Sequence, residues 1–263
     1  MQSGPVNLKP SIPVDGLRQR LQFALLPAHC LLCGARSQEL RDLCSACAAD
    51  LQRNQSACAR CALPMPMPAP LCGECLKHEP PFAAAWAPFV YAHPLDLLLT
   101  KLKFGRSLAA GRVLSELWIA ALRESVADES ALAMPELLIP VPLHAERLRE
   151  RGYNQALELA KPLARAFGIT LAPGLLQRTR ATAAQANLDA ATRRRNLRGA
   201  FAVDESALAK TVLVENVVLP AHVALIDDVM TTGTTLRECA RTLKRAGVAR
   251  VDVWAFARAP RGR

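Results

Sequence analysis

Eight cysteines between residues 30 and 75 fall into four C-x-x-C pairs, Cys30/Cys33, Cys44/Cys47, Cys58/Cys61 and Cys72/Cys75, each beginning 14 residues after the one before. A C-x-x-C turn presents two sulfurs from one tight loop, and two such turns close one tetrahedron around a zinc ion. The repetition therefore predicts two structural zinc sites of four cysteines each, with Gly34 and Gly73 suiting the tight turns beside the ligands. A disulfide framework or a single redox pair is the competing use of such thiols, but neither needs four knuckles at one period. Catalytic zinc is disfavoured because it keeps one coordination position open, whereas here cysteines fill both tetrahedra. His29 and His78 flank the knuckles and read as solvated residues. Spacing alone leaves both sequential and cross-braced pairing open, and sequential pairing is the expectation. Pro64, Pro66, Pro68 and Pro70 interrupt the segment, so metal binding has to supply most of its stability, on the order of 10–16 kcal/mol per site.

Upstream, Leu21–Ala28 imitates an export signal, but the apolar stretch is short and carries Gln22. His29 also stands before Cys30 where cleavage needs a small residue. The expectation is a cytoplasmic protein with an amphipathic helix opening near Asp15. The longest apolar runs, such as Phe82–Ala87 and Leu117–Leu122, are far shorter than the roughly 20 residues a membrane helix needs, so no membrane insertion is expected. With 51% apolar and 21% charged residues, the chain is globular rather than disordered.

Composition changes at His78-Glu79-Pro80-Pro81. The expected organisation is an N-terminal helical extension over 1–27, a double zinc ribbon over 28–80 and a larger domain over 81–263. In the last, strand and helix patterns alternate: a strand around Trp86–Tyr91, helices Leu95–Lys103 and about Leu108–Glu124, a strand Leu137–Leu143, a helix from about Asn154 to Phe167, a strand near Phe201, a strand Val223–Asp227, a helix Thr234–Ala246 and a strand Val251–Ala257. That order predicts an α/β fold with a parallel sheet covered by helices. The formal net charge of +10 favours anionic partners. It is concentrated between residues 176 and 200, where six arginines (Arg178, Arg180, Arg193, Arg194, Arg195 and Arg198) face Asp189 alone. An acidic element containing Asp227 and Asp228 follows.

The stretch Val223-Ala224-Leu225-Ile226-Asp227-Asp228-Val229-Met230-Thr231-Thr232-Gly233-Thr234-Thr235-Leu236 carries the chemistry. An apolar strand runs into two carboxylates, then hydroxyl residues and one glycine open a helix. Backbone N–H groups from Thr231 to Thr235 at the positive end of that helix suit a phosphate. Asp227 and Asp228 suit vicinal sugar hydroxyls. A ribose bearing a 5′-phosphate satisfies both halves. No G-x-x-x-x-G-K-[ST] is present, which disfavours a P-loop nucleotidase. Cys239, at helical spacing from Leu236 and Leu243, reads as a core residue.

Ile226 to Thr235 resembles the phosphoribosyl diphosphate motif of type I phosphoribosyltransferases. Ile139-Pro140-Val141-Pro142-Leu143-His144, Arg147, Arg151-Gly152-Tyr153-Asn154-Gln155-Ala156 and the series Arg178, Thr182, Gln185, Arg193, Asn196 and Phe201 resemble the ComF family of competence-associated proteins. The resemblance runs from Cys30 onward. It implies a zinc ribbon preceding a type I phosphoribosyltransferase-like domain, with an association with DNA uptake. It further implies that Asp227 and Asp228 are the catalytic, ribose-holding residues, that Thr231, Thr232, Gly233, Thr234 and Thr235 bind the 5′-phosphate, and that Mg2+ accompanies phosphoribosyl diphosphate. From the residues themselves, Arg147, Arg151 and Gly152 follow a strand, are expected on a loop at the same sheet edge as Asp227, and suit a diphosphate, because guanidinium groups bind phosphate oxygens bidentately. A solvated helix face paired with Glu146 and Glu150 is the other reading of the two arginines. The rival function is an accessory protein that binds single-stranded DNA or a competence protein through the arginine-rich loop. Aromatic residues, at 5%, are few for base stacking.

Overall fold

The computed structural model describes residues 28–37, 41–127, 132–180, 197–204, 206–207 and 219–261. The expected helix near Asp15 and the residues Thr182, Gln185, Arg193, Arg194, Arg195 and Asn196 lie outside the described residues. The chain divides into two compact units, Met1–Asp50 and Leu51–Arg263. No helix among the described residues is long and apolar enough to cross a membrane.

In the smaller unit, Cys30 accepts the Gly34 N–H on its carbonyl at 2.8 Å, closing the first knuckle. The second knuckle starts helix α1 (Ser45–Ala49), whose N-cap is Cys44. In the larger unit, helix α2 (Gly73–Lys77) begins directly after Cys72.

The remaining elements build a parallel sheet. In chain order they are β1 (Ala85–Trp86), β2 (Phe89–Val90), α3 (Leu95–Lys103), α4 (Leu108–Ala127), β3 (Leu137–Pro140), α5 (Ala145–Arg151), α6 (Gln155–Phe167), β4 (Thr170–Leu171), β5 (Leu176–Arg178), β6 (Phe201–Val203), β7 (His222–Met230), α7 (Thr234–Arg245) and β8 (Arg250–Arg258). The sheet runs β1-β8-β7-β3-β4, with β2 also pairing β8, and every one of these pairs is parallel. Its central strands read Leu-Leu-Ile in β3 and Val-Ala-Leu-Ile in β7 because helices cover both faces of a parallel sheet and leave no polar side. Helix α6 packs on β3 and β7, and α7 packs on β7 and β8. The core between them holds Leu159, Leu163, Leu225, Leu243 and Trp254, all buried.

Several element boundaries differ from the sequence reading. The strand expected over Trp86–Tyr91 is two short pieces, split by Ala87 and by Pro88, which has no N–H for the ladder. The strand expected to reach Leu143 ends at Pro140 for the same reason, although Val141 still donates to Ile226 at 2.9 Å. Phe201 lies in a separate antiparallel ribbon with β5, a strand that the periodicity did not reveal. Asp227 and Asp228 sit within β7, which continues to Met230 beside β8 rather than ending at the carboxylates.

Candidate functional site

The eight cysteines form two clusters, Cys30/Cys33/Cys44/Cys47 and Cys58/Cys61/Cys72/Cys75, and within each the sulfurs lie within 4.8 Å of one another. Sequential knuckles therefore combine, and four converging thiols are the donor set of a closed structural zinc site. The surroundings differ. Cys33 is exposed and Cys44 and Cys47 are half-buried, whereas all four sulfur ligands of the second cluster are buried. The second cluster belongs to the same core as Leu137, Val223 and Leu225 of the sheet. Burial pushes the Cys72 thiol up, but the Cys75 N–H and the thiols of Cys61, Cys75 and Cys58 outweigh it and bring Cys72 down to about 7. The Cys75 N–H thus favours the thiolate of Cys72, while burial pushes the Cys61 and Cys75 thiols up.

At the C-terminal end of β7, Asp227 accepts the Asp228 N–H at 2.9 Å and Asp228 accepts the Val229 N–H at 2.7 Å, each through Oδ1. Asp228 Oδ2 is buried and has no aligned hydrogen-bond donor among the described residues, though Lys103 Nζ is 2.7 Å away. Burial and the neighbouring Asp228 charge push the Asp227 carboxyl up to about 8, against the pull of Lys103. One aspartate thus faces a lysine, and the surroundings of the other favour its protonated form.

Met230 is followed by Thr231, Thr232 and Gly233, and α7 begins at Thr234. Gly233 is the N-cap, with φ of 71°, and it offers no side chain to the first turn of the helix. A Cβ there would lie 2.6 Å from Met230 Cε, the movable end of a flexible side chain, so the left-handed backbone is the main reason for glycine. Thr232 Oγ1 and Thr234 Oγ1 bond to each other at 2.9 Å, and Thr231 and Thr232 are exposed. The loop therefore presents hydroxyl groups at the positive end of a 12-residue helix, where Thr232 Oγ1 accepts the Thr234 N–H at 3.4 Å and the glycine N-cap contributes no side-chain bond.

Arg147 and Arg151 lie on the short helix α5 rather than on a loop, and Gly152 ends that helix with φ of 82°. This part of the expectation changes, because Ala145–Arg151 forms a helix capped by the His144 side chain at one end and by left-handed Gly152 at the other. Pairing with Glu146 and Glu150 does not occur. Arg151 donates to Gln155 Oε1 at 2.9 Å and its guanidinium carbon lies 5.4 Å from the Phe104 ring centroid, while Arg147 has no carboxylate partner among the described residues. Asn154 caps α6, accepting the Ala156 N–H at 3.0 Å.

Both arginines line a cavity of about 390 Å³ together with Lys103, Phe104, Arg106 and Glu150. Lys103 joins this basic cavity to the acidic pair. It is held there because Tyr153 donates to the Leu102 carbonyl, and Arg106 donates to the Glu150 carbonyl at 3.0 Å. Lys103 and Arg106 were missed in the sequence reading; their only signal is a basic cluster where α3 ends before Gly105. Cys239 is fully buried, as a core residue.

The acidic pair also fits a hard divalent cation in its chemistry, since it supplies carboxylate oxygens, one of them buried without an aligned donor.

Residues 21–76 match the family model for a double zinc ribbon domain, and residues 154–263 match that for a phosphoribosyl transferase domain. Over 189 residues the chain is 37% identical to the Competence protein F of Haemophilus influenzae, covering 70% of this chain and 77% of that protein. It is 36% identical to the DNA utilization protein YhgH of Escherichia coli O157:H7 over 184 residues, covering 70% and 76%. The Salmonella typhi protein of the same name is 36% identical over 188 residues, covering 70% and 76%.

Proposed function

The chain belongs to the family of Competence protein F and DNA utilization protein YhgH, and from this premise we propose that its larger unit binds phosphoribosyl diphosphate with Mg2+ as a phosphoribosyltransferase-type protein of the cytoplasm. The observation that carries the reading is the adjacency, along one turn, of a carboxylate pair and an open helix N-terminus. The first suits the ribose hydroxyls and the second a 5′-phosphate. In this pose Asp227 and Asp228 hold the sugar, Thr231–Thr235 hold the 5′-phosphate, and Arg147, Arg151 and Lys103 face the diphosphate.

Transfer would break the bond between the anomeric carbon and the diphosphate oxygen as a nucleophile forms its bond from the opposite face. The electron pair leaves with the diphosphate, where the guanidinium groups stabilise it. A bound Mg2+ would supply further neutralisation of that leaving charge. Positioning and charge stabilisation are the protein's main contributions. Calorimetric titration of phosphoribosyl diphosphate, with and without Mg2+, tests the reading on the wild type and on Asp227→Asn/Asp228→Asn. Heat that requires both the metal and the aspartates is expected. Equal binding by the folded double variant would sink it.

A second reading has its own observation. Arg237, Arg241 and Arg245 recur at four-residue spacing on α7 and, with Arg198, Thr234 and Glu238, line another cavity of about 390 Å³, where Arg241 also donates to Glu238 at 3.1 Å. Four residues of helix advance about 6 Å, which sets the guanidinium groups in a row suited to successive phosphates of a single strand. Arg193–Arg195, expected on a loop, lie outside the described residues, and the α7 stripe is the basic surface on which this reading rests. Arg241→Ala/Arg245→Ala is expected to weaken single-stranded DNA binding and to reduce its log–log salt slope by about 1.4, at roughly 0.7 per phosphate contact. An unchanged slope would remove the reading.

A further inference from the structure

Arg258, the last residue of β8, is only 6% exposed. Its guanidinium donates through Nε to the Cys61 carbonyl at 3.0 Å, and through Nη1 to Met230 O at 2.9 Å, Ala259 O at 2.8 Å and Thr231 O. One side chain thus joins a knuckle of the second cysteine cluster to the threonine loop. No carboxylate pairs with it among the described residues, and a buried cation without a counter-charge is unfavourable.

The counter-charge comes from the cluster. Four thiolates around one Zn2+ carry a net charge of two minus, and the charges of Cys61 and Cys72 act on Arg258. Met230, gripped at its carbonyl, in turn lies against Gly233. A continuous set of contacts therefore runs from Cys61 through Arg258 to Met230, Thr231 and Gly233.

We propose that Arg258 is a positioning residue that couples the second zinc site to the threonine loop, so that a zinc-loaded cluster and a phosphate-occupied loop stabilise one another. This rests on the reading of Thr231–Thr235 as a phosphate site. Zinc keeps the four sulfurs ionised, the net negative charge of the thiolates holds the guanidinium in place, and the guanidinium holds the two loop carbonyls. Coupling of this kind is reciprocal: whatever zinc does for phosphate affinity, phosphate must do for zinc affinity. A purely structural role for Arg258 predicts no dependence of zinc retention on the sugar phosphate.

The test uses the full chain loaded with zinc. Release to a chelator is followed with a chromogenic indicator, with and without saturating ribose 5-phosphate, while calorimetry reports binding of the same ligand. The expected result is that ribose 5-phosphate slows release of one class of zinc by about 5-fold or more in the wild type. Arg258→Met should lose this protection while ribose 5-phosphate still binds, more weakly. If Arg258→Met does not fold, Arg258→Lys carries the test, with reduced protection expected because the charge stays and the fork of donors goes. Undiminished protection in whichever variant folds, or none in a wild type that binds the ligand, overturns the proposal. A folded, zinc-loaded wild type that gives no heat with ribose 5-phosphate overturns the phosphate-site reading as well, and calorimetry separates this case from the others.

Discussion

Lys103 Nζ lies 2.7 Å from Asp228 Oδ2 and joins the end of α3 to the acidic pair of β7. Its charge pulls against the burial and the Asp228 charge that push the Asp227 carboxyl up. An opposite charge at this distance lowers a carboxyl pKa by about 1–3 units. Lys103→Met should therefore raise, by about that amount, the pH at which Mg2+-dependent ligand binding begins. Calorimetry across a pH series checks this, and an unmoved midpoint would show that Lys103 does not set the ionisation of the pair.

The Asp227 carboxyl is pushed up to about 8 from an ordinary value of 3.8. A native-state value above the unfolded one contributes stability that is complete below about 4 and is lost as pH rises through about 8. The zinc-loaded protein without Mg2+ should therefore lose this contribution progressively across that interval, and Asp227→Asn should flatten the fall in melting temperature. Thermal unfolding at fixed ionic strength measures it. Binding of Mg2+ with phosphoribosyl diphosphate at neutral pH should release protons, detected as heats that depend on the buffer's ionisation enthalpy.

Arg147 and Arg151 face the basic cavity without carboxylate partners among the described residues. Hydrogen bonds to charged groups contribute about 1.5–3 kcal/mol. Replacing either arginine with alanine should weaken phosphoribosyl diphosphate binding by roughly 10-fold to 100-fold while leaving ribose 5-phosphate affinity nearly unchanged. A parallel loss for both ligands would place these side chains elsewhere in the recognition.

Gly233→Ala places a methyl group at a φ of 71° and 2.6 Å from Met230 Cε. The left-handed backbone alone costs about 1–2 kcal/mol for a residue with a Cβ, and the contact adds to it. Denaturant unfolding should show a loss of at least that size, and calorimetry a weaker interaction with ribose 5-phosphate. A variant of unchanged stability would mean that the turn relaxes freely.

The zinc ligands and the strand–threonine–helix motif were legible in the sequence because each is local. A C-x-x-C turn or a strand running into a helix brings its functional atoms together within a few residues, so spacing alone predicts geometry. The apolar runs of β3 and β7 likewise announced a sheet buried on both faces. Where short-range geometry was subtler, legibility failed: Pro88 and Pro140 cut strands that apolar pattern had extended, and α5 replaced a loop because His144 and Gly152 cap it at both ends.

Tertiary packing alone decided the rest. Lys103 meets Asp228, Arg258 meets Cys61 and Thr231, and the second cysteine cluster shares the sheet's core, each through contacts between residues far apart in the chain. No periodicity encodes such meetings, because the partner of a side chain at the end of one element depends on how whole helices and strands pack. The residue types of this protein declared which chemistry was available, and the packing that brings the ends of α3 and β8 to the end of β7 determined which charges that chemistry acts through.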